Sequence, residues 1–139
     1  LYLLDTYPNS FLARDGFARE QAIQDIMFAN ATMHPAYSKL FFISHLGLNE
    51  RDINRAFGVA ATFINQLWQV VETRLSGQDY LGGSGVSAAD IMLSVYSRWG
   101  SGFPVDIEIG PRAQAMINRV MAMQSFQTAL ANEQLQKSE

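Results

Sequence analysis

Apolar residues recur at steps of three and four along most of the chain, which is the periodicity of helices that bury one face. No stretch alternates apolar and polar residues as a half-buried strand would. The predicted fold is therefore all-α, a helical bundle of about five to six helices. The pattern places its main helices over residues 16–45, 51–75, 87–99, 113–123 and 126–134.

Glycine, proline and capping residues mark where several of these helices begin, bend or end. Pro35 lies inside the first helix, so we expect a kink or a weakened turn near residues 32–33. Asn49 is suited to cap the second helix, and Gly77 is suited to close it. Pro111 suits the first turn of the fourth helix, because that position needs no backbone N–H.

Composition narrows the classes of function. The 139 residues are 48% apolar and 17% charged, which is typical of one globular domain rather than of a disordered chain. Cysteine is absent, so disulfides, thiolate metal sites and cysteine nucleophiles are excluded within the sequence. The net charge of −3 argues against a nucleic-acid partner. The uncharged run over residues 56–71 is shorter than the roughly 20 residues of a membrane span, and the beginning LYLLDTYP is unlike a signal peptide, so we expect a cytoplasmic protein.

The segment VSAADI predicts a capped helix start. The Ser87 hydroxyl can accept the Asp90 N–H while the Asp90 carboxylate accepts the Ser87 N–H, which is a capping box with Asp in place of Glu. Val86 and Ile91 have the spacing of a hydrophobic staple around this cap. A catalytic Ser–Asp pair is the less favoured alternative, since both side chains are engaged with backbone and no His is close in sequence.

Other conspicuous residues have structural interpretations. His45 is expected at a helix C-terminus, where a cation is favourable, and Trp68 is expected in the core. Two separated His residues without Cys make a metal site unlikely, so we expect none. The GGSG at residues 82–85 lacks the preceding strand and following Lys of a phosphate-binding loop.

Four segments of the chain can be compared with known families: LYLLDTYP (1–8), MHPAYSKLF (33–41), SAADIMLSVYSRW (87–99) and NRVMAMQSFQTALANE (118–133). They resemble the helical C-terminal domain of cytosolic glutathione S-transferases, and particularly bacterial, beta-class-like members. The Arg98–Trp99 pair ends the third segment, as in those relatives, whereas Gln124 replaces the usual Pro in the fourth. The similarity extends over essentially the whole chain.

The resemblance implies that residues 1–8 end a preceding thioredoxin-like domain and that residues 9–139 form the helical C-terminal domain. It implies a glutathione transferase that conjugates glutathione, its cosubstrate, to hydrophobic electrophilic small molecules without a metal. Family members are usually homodimers. The thiolate-stabilising residue would lie upstream, so this chain would supply the electrophile pocket and be inactive alone. The alternatives are a non-catalytic interaction or regulatory module, and peroxidase, isomerase or dehalogenase chemistry on the same scaffold.

The resemblance also implies which residues bind the electrophile. His34, Tyr37, Phe41 and Trp99 match positions at the active-site cleft, and the first three share one helical face. The alternative is that the two α-helical aromatics are core residues and that His34 is a partly exposed residue at a helix end. Relatives often carry an Asn near glutathione where this chain has Met27, which argues against a polar contact there.

Overall fold

The computed structural model describes residues 1–7 and 9–136, and it confirms the all-α prediction. Its helices are α1 (Tyr2–Thr6), α2 (Gly16–Phe28), α3 (His34–Ser44), α4 (Glu50–Arg74), α5 (Ala88–Tyr96), α6 (Pro111–Met121) and α7 (Gln124–Gln136). A π turn, Ala29–Met33, joins α2 to α3, so these two form one continuous helix, and the described residues contain six helices on that count. A short 3₁₀ turn covers Trp99–Gly102.

The π turn is the structural form of the irregularity predicted at Pro35. Proline has no N–H to donate to the carbonyl four residues earlier, so the regular helical ladder cannot continue through it. The backbone widens instead of breaking: the His34 N–H bonds to the carbonyl of Ala29, five residues back, and Pro35 occupies the first turn of α3. The predicted irregularity is therefore present as a wider turn within an unbroken helix.

Helix α4 is the longest regular α-helix among the described residues, and one of its faces lies in the core. Its start is capped as predicted, because the Asn49 side chain accepts the Asp52 N–H at 3.0 Å. Gly77 follows its end with a φ of +80°, a conformation that favours glycine. Trp68 has no exposed surface, in agreement with the prediction of a core residue. The core around α4 is built from apolar side chains of α3, α4, α5 and α6, with Ala29 and Met33 added by the π turn.

The start of α6 is capped by a side chain from α4. Pro111 needs no partner, and the next two N–H groups, of Arg112 and Ala113, donate to the Glu72 carboxylate at 3.2 and 2.9 Å. Gly110 leaves room for this approach, since a Cβ there would lie 2.5 Å from Glu72 Oε2. The carboxylate therefore joins α4 to the positive end of the α6 dipole.

The two ends of the chain are packed less tightly than the centre. Neither α1 nor α7 has a buried residue. Helix α7 is longer than predicted, covering Gln124–Gln136 instead of residues 126–134. Within residues 1–7 and 9–136, no helix combines the length and apolar character that crossing a bilayer requires.

Candidate functional site

The capping-box residues form a buried structural site at the start of α5. Asp90 has no exposed surface, and its Oδ2 accepts the Ser87 N–H at 2.8 Å and the Ser87 hydroxyl at 2.6 Å. Its Oδ1 accepts the Leu81 N–H at 2.9 Å, so the carboxylate also holds the preceding loop. Val86 and Ile91 are half-buried against the core. With Ser87 and Asp90 bonded to each other and to backbone, this arrangement stabilises the helix start and offers no free nucleophile.

The candidate substrate-binding residues lie together around Trp99. The ring centroid of Trp99 is 5.3 Å from that of His34, 6.4 Å from that of Tyr37 and 5.8 Å from that of Phe41. Helix α3 places its three side chains on one side, and the turn after α5 brings the indole against them. We call this group, together with Tyr96 and Phe103, the aromatic cluster.

Sequence reasoning missed two members of the aromatic cluster. Tyr96 is 4.9 Å from Trp99 and 5.3 Å from His34, measured between ring centroids. Phe103 is 4.8 Å from Phe41. Tyr96 precedes Trp99 by three positions, a helical spacing that could have indicated it. Phe103 follows a glycine-containing turn, so periodicity carried no signal for it.

Burial separates Tyr37 from the other predicted residues and favours the alternative that it belongs to the core. Tyr37 has no exposed surface, and its hydroxyl accepts the indole N–H of Trp68 at 2.9 Å. Gly100 packs over the ring, since a Cβ at that position would lie 3.7 Å from Tyr37 Cε1. Burial raises the pKa of Tyr37 to about 12. In this conformation Tyr37 is a core residue whose ring packs against Trp99.

The accessible face of the aromatic cluster includes His34, Phe41 and Trp99, and Phe103 is half-buried beside them. Phe41 is 45% exposed, while His34 and Trp99 are half-buried. The plane of the His34 imidazole is inclined by 66° to the ring of Tyr96 and by 71° to that of Trp99, so both contacts are edge-to-face. Among residues 1–7 and 9–136, neither ring nitrogen of His34 has a hydrogen-bond partner. This face therefore combines apolar rings with an available imidazole.

The second histidine has a different environment. His45 follows the end of α3, and its Nδ1 lies 2.7 Å from the carbonyl oxygen of Phe41. This contact matches the predicted role at a helix C-terminus, where backbone carbonyls lack helical partners. In the part of the chain that the structure describes, no three His, Asp or Glu side chains come together as a metal site.

Rings of the aromatic cluster reach the surface, since Phe41 is 45% exposed and His34 and Trp99 are half-buried. A cavity of about 450 Å³ near the start of α6 is lined by Leu75, Pro111 and Arg119, among others, and includes no cluster residue. Met27 is 49% exposed, so this position also presents an apolar side chain to the surface. The accessible rings would need a second surface opposite them to enclose a small molecule.

Comparison with known proteins identifies the chain. It is 32% identical over 136 residues to glutathione S-transferase GST-4.5 of Xanthomonas campestris pv. campestris, a match that covers 96% of this chain and 67% of that protein. The chain belongs to the glutathione S-transferase family. The predicted resemblance is thus confirmed, although no family model matches the sequence.

Solved structures agree with the family assignment. The glutathione S-transferase from Xylella fastidiosa superimposes with a TM-score of 0.73 at 28% identity, over 83% of this chain and 56% of that one. The glutathione transferase URE2P8 from Phanerochaete chrysosporium, solved with oxidised glutathione, gives a TM-score of 0.84 over 99% of this chain and 64% of that one. Its identity of 18% supports the fold alone. The chain spans between 56% and 67% of the length of these three relatives.

Proposed function

We propose that the full-length protein is a glutathione transferase and that this chain is its C-terminal helical domain. The observation that carries the proposal is the accessible face of His34, Phe41 and Trp99 in a chain that belongs to this family. Flat aromatic rings offer an apolar surface to a hydrophobic electrophile, and the free His34 imidazole offers a hydrogen bond to a polar substituent. Holding the electrophile beside the sulfur lowers the barrier by fixing the geometry of attack.

Helix α1 supports the proposed domain boundary. Leu1, Tyr2, Leu3 and Tyr7 are all more than half exposed, and apolar side chains clustered in this way are typical of a surface that another domain covers. The backbone at the end of α1 is held by Arg14, whose guanidinium donates to the carbonyl of Tyr7 at 3.3 Å. We assign residues 1–8 to the end of a thioredoxin-like domain and residues 9–139 to the helical domain. Pro8 and residues 137–139 lie outside the described residues.

The proposed chemistry divides between the two domains. Glutathione is the cosubstrate, and the thioredoxin-like domain would bind it and stabilise its thiolate, which is the nucleophile. The helical domain would position the electrophile, and no metal takes part. We propose that the enzyme is cytoplasmic and acts in detoxification. The aromatic cluster would determine which electrophiles it accepts.

The surface of α4 supports a homodimer. Val59, Phe63 and Val70 are spaced by four and seven residues, so they lie on one face of the helix. All three are exposed, at 68%, 39% and 44%. A face of this kind is suited to cover by a second subunit.

Steady-state kinetics of the full-length enzyme test the proposal. Replacing Phe41 with Ala or Trp99 with Leu removes apolar contact area, so we expect the KM for an aryl halide to rise about tenfold while the KM for glutathione changes less than about twofold. Phe17→Ala is the matched control, because Phe17 is 78% exposed and is not in the aromatic cluster. Equal increases in the KM for both substrates would contradict the proposed role of the aromatic cluster. A full-length protein without conjugating activity would favour a non-catalytic interaction module instead.

A further inference from the structure

A second apolar site lies beneath α7, separate from the aromatic cluster. It is an open cavity of about 220 Å³ bordered by three helices. Its lining is mainly aliphatic and aromatic: Ile91 and Val95 from α5, Val120 from α6, and Phe126, Ala129 and Leu130 from α7. Arg98 and Glu133 lie among its lining residues, so the cavity has charged groups as well as an apolar interior.

The cavity persists because α7 does not fill the groove between α5 and α6. Phe126 and Leu130 face the core side of α7, yet both are only half-buried. No residue of α7 is fully buried. An apolar molecule seated in this open cavity would remove its apolar lining from water and pack against it, and both effects favour binding.

The ion pair at the cavity indicates the polar group of a ligand. Arg98 Nη1 is 3.9 Å from Glu133 Oε2, which is too long for a hydrogen bond. The two side chains are 41% and 59% exposed, so Glu133 can turn into solvent at little cost. The Arg98 guanidinium can then form the shorter, two-bonded contact that it makes best with a carboxylate.

The volume indicates the size of the ligand. An apolar protein cavity of about 150 Å³ holds benzene. The cavity beneath α7 is larger, at about 220 Å³, which leaves room for a ring with a spacer of two or three carbons.

We infer that the cavity beneath α7 binds small aryl or alkyl carboxylates, with the apolar body between α5, α6 and α7 and the carboxylate on Arg98. This site goes beyond the proposed conjugation reaction and does not require it. Arg98 and Trp99 are neighbours in sequence but serve different surfaces, since Arg98 lines the cavity and Trp99 is at the centre of the aromatic cluster.

Titration calorimetry of the full-length protein with 3-phenylpropionate tests the inference. We expect saturable binding, which Ala129→Phe abolishes by filling the cavity from the exposed side of α7. Ala131→Phe is the matched control, because Ala131 is exposed on the same helix and does not line the cavity, and it should bind as the parent protein does. Circular dichroism of each variant verifies that the fold is retained.

The carboxylate contact has its own test. Arg98→Gln should weaken 3-phenylpropionate about tenfold and the neutral analogue 3-phenylpropan-1-ol less than about twofold. Arg55→Gln, on the surface of α4, should change neither. Absence of saturable binding, or equal binding by the Ala129→Phe variant, would overturn the inference, as would equal losses of acid and alcohol with Arg98→Gln. Loss of binding with Trp99→Leu but not with Ala129→Phe would place the ligand at the aromatic cluster and also overturn it.

Discussion

Removal of the Asp90 carboxylate is the sharpest test of what stabilises the bundle. The carboxylate has no exposed surface and accepts hydrogen bonds from the Leu81 N–H, the Ser87 N–H and the Ser87 hydroxyl. Asp90→Ala leaves two backbone donors without this acceptor, and each such buried group costs about 1–3 kcal/mol. We therefore expect the free energy of unfolding to fall by about 4 kcal/mol, before any cavity effect is added.

Two further variants separate charge from shape at this site. Asp90→Asn keeps the volume but replaces one acceptor oxygen with an NH₂ group. This group would face either the Leu81 N–H or the Ser87 donors, so we expect the free energy of unfolding to fall by about 2–3 kcal/mol. Ser87→Ala removes the cap hydroxyl alone and should cost about 1–2 kcal/mol. Asp106→Ala is the control, because Asp106 is exposed and its side chain caps no helix.

Urea unfolding followed by far-ultraviolet circular dichroism measures these differences, provided that each transition is two-state with an unchanged slope. A loss below about 1 kcal/mol for Asp90→Ala would refute the reasoning, since exposed surface positions change stability by about 0.5 kcal/mol or less. It would mean that water or another group satisfies the Leu81 and Ser87 donors once the carboxylate is removed.

Three other expectations follow from single features. Gly110→Ala should lower the free energy of unfolding by about 1–3 kcal/mol, because the added Cβ would displace the Glu72 carboxylate from the start of α6. Urea unfolding measures this difference, and a variant as stable as the parent protein would contradict the prediction. The pKa of Tyr37 is raised to about 12 from 10, so the contribution of its protonated hydroxyl to the free energy of unfolding is fully present below pH 10 and is lost as the pH rises to about 12. Tyr37→Phe should remove this dependence of stability on pH between 10 and 12. A variant whose stability falls as steeply as that of the parent protein over this interval would argue against it. Burial raises the pKa of Asp25, although the Arg74 charge opposes this shift. The ionised carboxylate therefore lowers the free energy of unfolding at neutral pH, and this effect declines as the pH falls toward the pKa of Asp25 in the unfolded chain. The stability of Asp25→Asn should lack this dependence on pH, and a variant whose stability follows that of the parent protein at every pH would refute the prediction.

The isolated chain provides a test of the division between domains. Purified residues 1–139 should show no turnover of a chromophoric aryl halide with glutathione, because thiolate stabilisation is assigned to the preceding domain. Activity measured for the full-length protein under the same conditions is the control. Measurable conjugation by the isolated chain would contradict the assignment.

Features that depend on nearby residues could be predicted from the sequence. The Asn49 cap, the capping box at Ser87 and the position of Pro111 each involve residues within one helical turn, and the structure contains all three. Helical periodicity also located the main helices to within a few residues. Local hydrogen bonds and a repeating apolar face are sufficient to specify such elements.

Features that depend on distant residues could not be predicted in this way. Tyr37 and Phe41 occupy one helical stripe, yet Tyr37 is buried and Phe41 is 45% exposed. The difference arises from Trp68 and from the turn at Gly100, both of which reach Tyr37 from elsewhere in the chain. Periodicity identifies a face but not what covers each position on it. The Glu72 cap of α6 escaped prediction for the same reason, since about 40 residues separate the partners.

The π turn lets the long helix hold one residue more than a regular α-helix without changing which side chains face Trp99. A π turn closes on the fifth residue and an α turn on the fourth, so the wider turn takes up the additional residue within a single turn. Removing one residue from Ala29–Met33 would close this turn to α geometry and keep His34 and Phe41 on the side of the helix on which Trp99 lies. Removing one residue from the regular turns of α2 would instead rotate its two parts relative to each other by about 100°. The aromatic cluster therefore depends less on chain length at the π turn than in the regular helix beside it.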